Sequence, residues 1–140
     1  MTTSRSDPAV IRIAAAVVVD GEGRTLLVRK RGTSAFMQPG GKLGPGEVAE
    51  DALARELREE LGCGVASGAR PLGRFSAAAA NEPETTVEAE LFAVELEGDV
   101  SAAAEIEELR WHHPDDKAAL ELAPLTRDHV LPLVRAGRLA

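Results

Sequence analysis

The sequence predicts an α/β layer protein: apolar strands, one amphipathic helix, further strands and a helical tail follow one another within 140 residues. Three observations carry that expectation. Apolar runs of strand length at residues 11–19, 25–31, 70–79 and 87–96 are bounded by turn-forming residues. One helical period stands out at residues 48–61, where Leu53, Leu57 and Leu61 recur at every fourth position and make a single apolar stripe. The length fits one compact domain, and 44% hydrophobic residues can fill its core. With three Phe, one Trp and no Tyr, packing falls mainly to Ala, Val and Leu.

The elements follow in order. Residues 1–8 are polar and expected to form a disordered tail, leaving residues 9–140 as a single domain. The strand at residues 11–19 ends in the turn Asp20-Gly21-Glu22-Gly23, and the strand at residues 25–31 leads into a glycine-rich loop. Pro39-Gly40-Gly41-Lys42 and Gly44-Pro45-Gly46 bracket that loop, a composition suited to tight bends with backbone close to a ligand. Glu47, Glu50 and Asp51 sit near the helix start, where acidic residues suit the dipole, and Gly62 can end it in a left-handed conformation. Strands at residues 70–79 and 87–96 are joined through Asn81-Glu82-Pro83-Glu84, and a short strand at residues 109–112 precedes the turn Pro114-Asp115-Asp116. Residues 125–135 are expected to be helical, with Pro132 kinking or shortening the segment.

A net charge of −7 argues against a general nucleic-acid binder, which needs a basic stripe. It leaves polyphosphate ligands open, because a bound cation can reverse the local potential. A single cysteine excludes an internal disulfide and fits a reducing cytosol. No segment reaches the length of a membrane span, and the N-terminus does not read as a signal peptide, so a cytoplasmic protein is expected.

The chemistry concentrates between Gly41 and Cys63, in GKLGPGEVAEDALARELREELGC. On the helical wheel Glu56, Glu59 and Glu60 share an arc of about 100° beside the leucine stripe, because i, i+3 and i+4 are neighbours. Three like charges so close destabilise an isolated helix. A hard divalent cation removes the conflict, since Mg²⁺ and Mn²⁺ favour carboxylate oxygens together with substrate phosphates. A merely solvated acidic face is the alternative.

The full pattern, G-x5-E-x7-R-E-U-x-E-E-x-G-U with U apolar, resembles the signature box of the Nudix hydrolases. At ordinary residue frequencies its seven fixed positions match by chance at roughly 10⁻⁹ per start site. Cys63 stands where the family usually has Ile, Leu or Val, and a buried Cys packs as a small hydrophobe. The resemblance implies a mixed β-sheet sandwiched between helices (α/β/α) over nearly the whole chain. It also implies metal-assisted attack of water on phosphorus in a nucleoside diphosphate linked to another group. Carried onto this chain, Glu56, Glu59 and Glu60 are the expected ligands of Mg²⁺ or Mn²⁺, with a backbone carbonyl of Gly40 or Gly41. Glu56 or Glu59 can double as general base. Arg55 is expected to pair with Glu47 and tie the loop to the helix.

Many family members supply a further acidic residue shortly before a Trp-bearing strand. Glu105, ahead of Trp111, matches that placement better than Glu107 or Glu108 and is expected as ligand or base. Trp111 itself reads as a packing residue, and His112, His113 and His129 as structural or exposed. Arg29, Arg31, Phe36, Met37, Gln38 and Lys42 lie close enough in sequence to the glycine loop to contact substrate. The signature elements of the NADH, diadenosine polyphosphate and ADP-ribose subfamilies are missing; Ala78 and Ala79 stand where the last often carry Pro. By elimination the chain is most similar to MutT-like nucleoside triphosphate pyrophosphatases, including those acting on oxidised nucleotides. Other nucleotide derivatives, an RNA 5′ end and a non-catalytic ligand sensor are the alternatives; a homodimer is left open.

Overall fold

Along β1 (Ala9–Val17) successive side chains point to opposite faces, and from Ala14 onward both faces are buried. Ala14 and Ala16 join Leu53, Leu57 and Leu61 of α1 (Ala49–Leu61) and Phe92 and Val94 of β5 (Thr85–Glu97) in one core. Ala15 and Val17 join Ala89, Leu91, Leu125 and Val130 in a second. One sheet is thus covered by α1 on one side and by the C-terminal helical segment on the other. This is the expected α/β/α arrangement. The computed structural model describes residues 9–116 and 119–137, so the expected tail at residues 1–8 lies outside the described residues.

The main sheet is mixed, in the order β3-β1-β5-β4, where β3 is Gly40–Lys42 and β4 is Gly64–Ala78. β1 runs parallel to β5 and antiparallel to β3, and β4 is antiparallel to β5. β2 (Thr25–Lys30) and β6 (Ile106–His112) form a separate antiparallel pair. β2 is joined to the rest by the bonds Leu26 N–H to Val18 O at 3.0 Å and Val28 N–H to Met37 O at 2.8 Å. Among the described residues no helix is long and apolar enough to cross a membrane.

Several elements depart from the sequence reading: β3 forms within the expected glycine loop, and β6 begins at Ile106 rather than at residue 109. β4 begins at Gly64 rather than near residue 70, because a bulge between Ala66 and Arg70 breaks its alternation; Ser67 and Gly68 take positive φ there. The tail is helical, but a π-helical turn at Thr126–Val130 precedes α2 (Leu131–Arg135). Pro132 has no N–H and its ring would strike the carbonyl four residues back, so the wider turn lets it occupy the start of α2. Trp111 is 38% exposed rather than packed inside.

α1 starts without a side-chain cap at Val48 and stops at Gly62, whose φ of 70° suits glycine. Its last carbonyls are then used by the chain that follows. Ser101 N–H bonds to Leu61 O at 3.1 Å and Ala103 N–H to Glu60 O at 2.9 Å. These bonds dock the segment leading to Glu105 against the end of α1. Leu57, fully buried between α1 and the sheet, is expected to contribute about 2–5 kcal/mol, read as the loss in Leu57→Ala by urea denaturation. A loss below about 1 kcal/mol would mean that α1 is not seated on the sheet as described.

Candidate active site

Two glycines set the site. Gly40, at φ +147°, runs so close to β1 that a Cβ would collide with the Ala14 carbonyl and lie 2.7 Å from Ala15 Cα. A Cβ on Gly41 would lie 2.7 Å from each carboxylate oxygen of Glu56. β3 therefore presses directly on the acidic face of α1: backbone blocks any larger residue at Gly40, and a side chain at Gly41 would have to displace the Glu56 carboxylate.

Glu60 occupies the inner edge of that face. It is only 2% exposed, and its Oε1 accepts the Gly40 N–H at 3.1 Å. Burial pushes its carboxyl up to about 7; the Gly40 N–H and Lys30 oppose the shift, and Glu56 and Glu105 add to it. The structure therefore brings Glu56, Glu60 and Glu105 into one electrostatic group, although Glu105 is distant in sequence. Glu59 lies farther out, half exposed, with Oε1 3.7 Å from Arg55 Nη1.

Glu56 and Glu60, and the more exposed Glu105, each have a partner. Glu56 takes Arg55 Nη1 at 2.8 Å, Glu60 takes the Gly40 N–H, and Glu105 lies 3.4 Å from Lys30 Nζ. Among the described residues no three His, Cys, Asp or Glu side chains are already gathered around a metal position. The donor set nevertheless suits a hard divalent cation. It offers only oxygens, and Glu60 is buried beside two like charges with Lys30 as the attracting cation.

Arg55 braces the loop. Its Nε and Nη2 meet the two Glu47 oxygens at 3.0 and 2.9 Å, and Nη2 also donates to the Lys42 carbonyl at 3.1 Å. Glu47 Oε1 accepts the Gly44 N–H at 2.8 Å as well. The forked guanidinium holds the Glu47 carboxyl down at about 2, so the tie is ionised throughout the neutral range.

A cleft of about 420 Å³ opens over this face, with Lys30, Gly41, Lys42, Glu56 and Glu105 among its lining residues. A larger hollow, about 510 Å³ near Arg12, Val48 and Arg74, contains none of Glu56, Glu60 and Glu105; the smaller cleft is the one adjoining the chemistry. Gln38 lines the cleft but is chiefly a strut: Nε2 donates to Ala16 O at 2.9 Å, and Oε1 accepts from the Thr126 hydroxyl at 3.0 Å. Arg29 and Arg31 do not line it. They pair with Glu108 and Glu107 at 3.2 and 3.5 Å. Lys30 does, and the sequence reading passed over it. The signal was strand alternation, which puts Lys30 on the face of buried Val28 and turns Arg29 and Arg31 away.

The raised carboxyl of Glu60 gives a signed expectation. In the unfolded chain it titrates near its ordinary value of 4.5, and in the fold near 7. Folding therefore favours the protonated form, and this group removes stability as pH rises from about 4.5 through about 7. Glu60→Gln keeps an oxygen for the Gly40 N–H without the charge. In EDTA at pH 8 the variant should melt above the wild-type protein, with the gap closing by pH 4.5. Identical melting at both pH values would contradict the buried charge.

Comparison with known proteins agrees with this fold. The NUDIX domain family model matches residues 10–134. A crystal structure of MutT protein from Methanosarcina mazei Go1 superposes with a TM-score of 0.75 at 23% identity, covering 96% of this chain and 99% of that one. A NUDIX hydrolase from Nitrosomonas europaea superposes at 0.71 with 26% identity, over 91% and 89% of the two chains. An 8-oxo-dGTP diphosphatase of Haemophilus influenzae is 38% identical over 73 residues, 49% of this chain and 53% of that protein. The chain thus spans about half the length of that curated relative. With the domain match extending from β1 to α2, the chain belongs to the NUDIX domain family.

Proposed function

We propose that this chain is a metal-dependent pyrophosphohydrolase that cleaves a nucleoside triphosphate, including oxidised forms, to the monophosphate and pyrophosphate. The observation that carries the reading is the buried Glu60 carboxylate, bonded to the Gly40 N–H behind a cleft that Glu56, Glu105 and glycine backbone line. The choice of a triphosphate is supported by the Haemophilus influenzae relative, named an 8-oxo-dGTP diphosphatase.

Glu56, Glu59, Glu60 and Glu105, with the Gly41 carbonyl, would hold Mg²⁺ or Mn²⁺. Such an ion supplies charge neutralisation at phosphate and makes a bound water more acidic. The protein's own part is positioning and proton handling. Lys30 and Lys42 face the cleft and meet the negative charge of the polyphosphate. Water oxygen adds to phosphorus, a bridging P–O bond breaks, and a proton passes from water to Glu56, Glu59 or Glu105. The bridging oxygen stays with the group that leaves the attacked phosphorus, and the products are the monophosphate and pyrophosphate. Arg55 keeps Glu56 and the loop in register through its bonds to Glu47 and the Lys42 carbonyl. A cytoplasmic setting suits the chain, whose lone Cys63 is a buried free thiol.

Hydrolysis of a substrate panel with Mg²⁺ and Mn²⁺ tests this. Ordinary and oxidised nucleoside triphosphates should give monophosphate and pyrophosphate. Removing a metal-binding carboxylate should lower kcat/KM by roughly 10² or more in Glu60→Gln. Glu105→Gln should lower it by about tenfold or more, as loss of a ligand or base does. Turnover of ADP-ribose or nucleotide sugars instead would replace the triphosphate assignment. Undiminished turnover in Glu60→Gln would remove the metal site from α1.

A further inference from the structure

Outside the cleft, β6 presents an unpaired edge. β2 is its only neighbour among the described strands, and the register between them runs unbroken from Glu108 to His112. The backbone bonds of β2 show which groups of β6 are used. Val28 exchanges both its N–H and its C=O with Met37 at 2.8 Å, and Leu26 N–H donates to Val18 O at 3.0 Å. Leu26 and Val28 therefore turn their backbone groups away from β6, and Thr25, Leu27 and Arg29 turn theirs towards it. Their register partners His112, Arg110 and Glu108 bond inwards. The N–H and C=O of Leu109 and Trp111 consequently point outwards, and no backbone bond joins them to any other described element.

The remaining sheet edges are blunted. β4 is interrupted by bulges at residues 66–70 and 71–73, with Ser67, Gly68 and Gly73 at positive φ, and β3 has three residues. β6 is straight over its last five residues and carries Trp111, 38% exposed, near its end.

The edge is complementary to itself. About a two-fold axis at Leu109, an antiparallel second copy sets Leu109 opposite Leu109, Glu108 opposite Arg110 and Glu107 opposite Trp111. Leu109 then forms a hydrogen-bonded pair with its counterpart, as its outward groups require. Glu108 and Arg110 fall in the closer, non-hydrogen-bonded pairs, opposite charges facing each other twice. Moving the axis to Arg110 would set two guanidiniums face to face. Charge therefore selects the first register. Both groups have capacity for it. Glu108 holds Arg29 through Oε1 at 3.2 Å, while its Oε2 has only a long 3.6 Å contact with Arg110 Nη2.

We propose that β6 is a dimer interface, on which two copies of this chain pair antiparallel about Leu109 and withdraw Trp111 from water. The inference is independent of the chemistry in the cleft. A single strand edge is a small interface, so association is weak, with a Kd on the order of 10⁻⁵ M.

Sedimentation and amide exchange of the wild-type protein, followed from about 1 µM to about 500 µM, bracket that affinity. A monomer should give way to a dimer, and the Leu109 and Trp111 amides should slow as it forms. The Arg110 amide, already bonded to β2, should be protected throughout. Charge exchange then tests the register. Glu108→Arg places like positive charges opposite each other, and Arg110→Glu places like negative charges there. Each variant, shown folded by circular dichroism, should dimerise about tenfold or more weakly. Mixed in equal amounts the two should associate again, because each then faces charges of the opposite sign. A wild-type monomer at every concentration would overturn the proposal. So would a dimer whose Leu109 and Trp111 amides exchange unchanged, or two folded variants that fail to pair when mixed. Should either variant fail to fold, the wild-type exchange decides alone.

Discussion

The close approach of β3 to α1 is the constraint on which the site depends. Gly40 passes against the Ala14 carbonyl, and Gly41 stands in the space that a side chain would share with the Glu56 carboxylate. At that distance the Gly40 N–H reaches Glu60 Oε1 at 3.1 Å and gives a buried acid its hydrogen bond. A Cβ at Gly40 would strike the β1 backbone and shift the strand that gives Glu60 its N–H, and one at Gly41 would displace the Glu56 carboxylate. The same approach explains the leucine stripe. Leu53, Leu57 and Leu61 fix α1 on the small residues Ala14 and Ala16, so the acidic arc cannot rotate away from the glycines.

Electrostatics then divides the site into braced and unbraced parts. Glu47 and Arg55 form a forked pair with further bonds to Gly44 and Lys42, and this tie joins loop to helix without needing any ligand. Glu60 is the opposite case. Its burial raises the carboxyl towards 7, and the nearby Glu56 and Glu105 raise it further, with Lys30 as the attracting cation. A buried acid among like charges weakens the fold unless a cation joins it. The stability given up at Glu60 is intelligible if the site is built to receive one.

Much of this was legible in the chain because it is local. Helical spacing alone places Glu56, Glu59 and Glu60 on one arc beside the leucine stripe, whereas the tie between Arg55 and Glu47, which lies outside α1, follows from the resemblance to the Nudix box. What escaped depends on longer range or on broken periodicity. The bulge at residues 66–70 hides the first third of β4 from an alternation reading. Proximity to the glycine loop drew attention to Arg29 and Arg31, whereas pairing of β2 with β6 turns both towards Glu108 and Glu107 and leaves Lys30 at the cleft. The part of the cleft formed by Asn81 and Glu82 comes from a turn with no local signature of ligand binding.

The most direct test of the account is a calorimetric Mg²⁺ titration at pH 7 of the wild-type protein and Glu60→Gln, each in two buffers of different protonation enthalpy. A carboxyl near 7 is about half protonated at that pH and must ionise to bind a cation, so saturable binding should release on the order of half a proton. Glu60→Gln should lose both the tight binding and the proton release. Equal Mg²⁺ affinity in the two proteins, with no buffer dependence in either, would contradict the assignment of the buried carboxylate as the centre of the site.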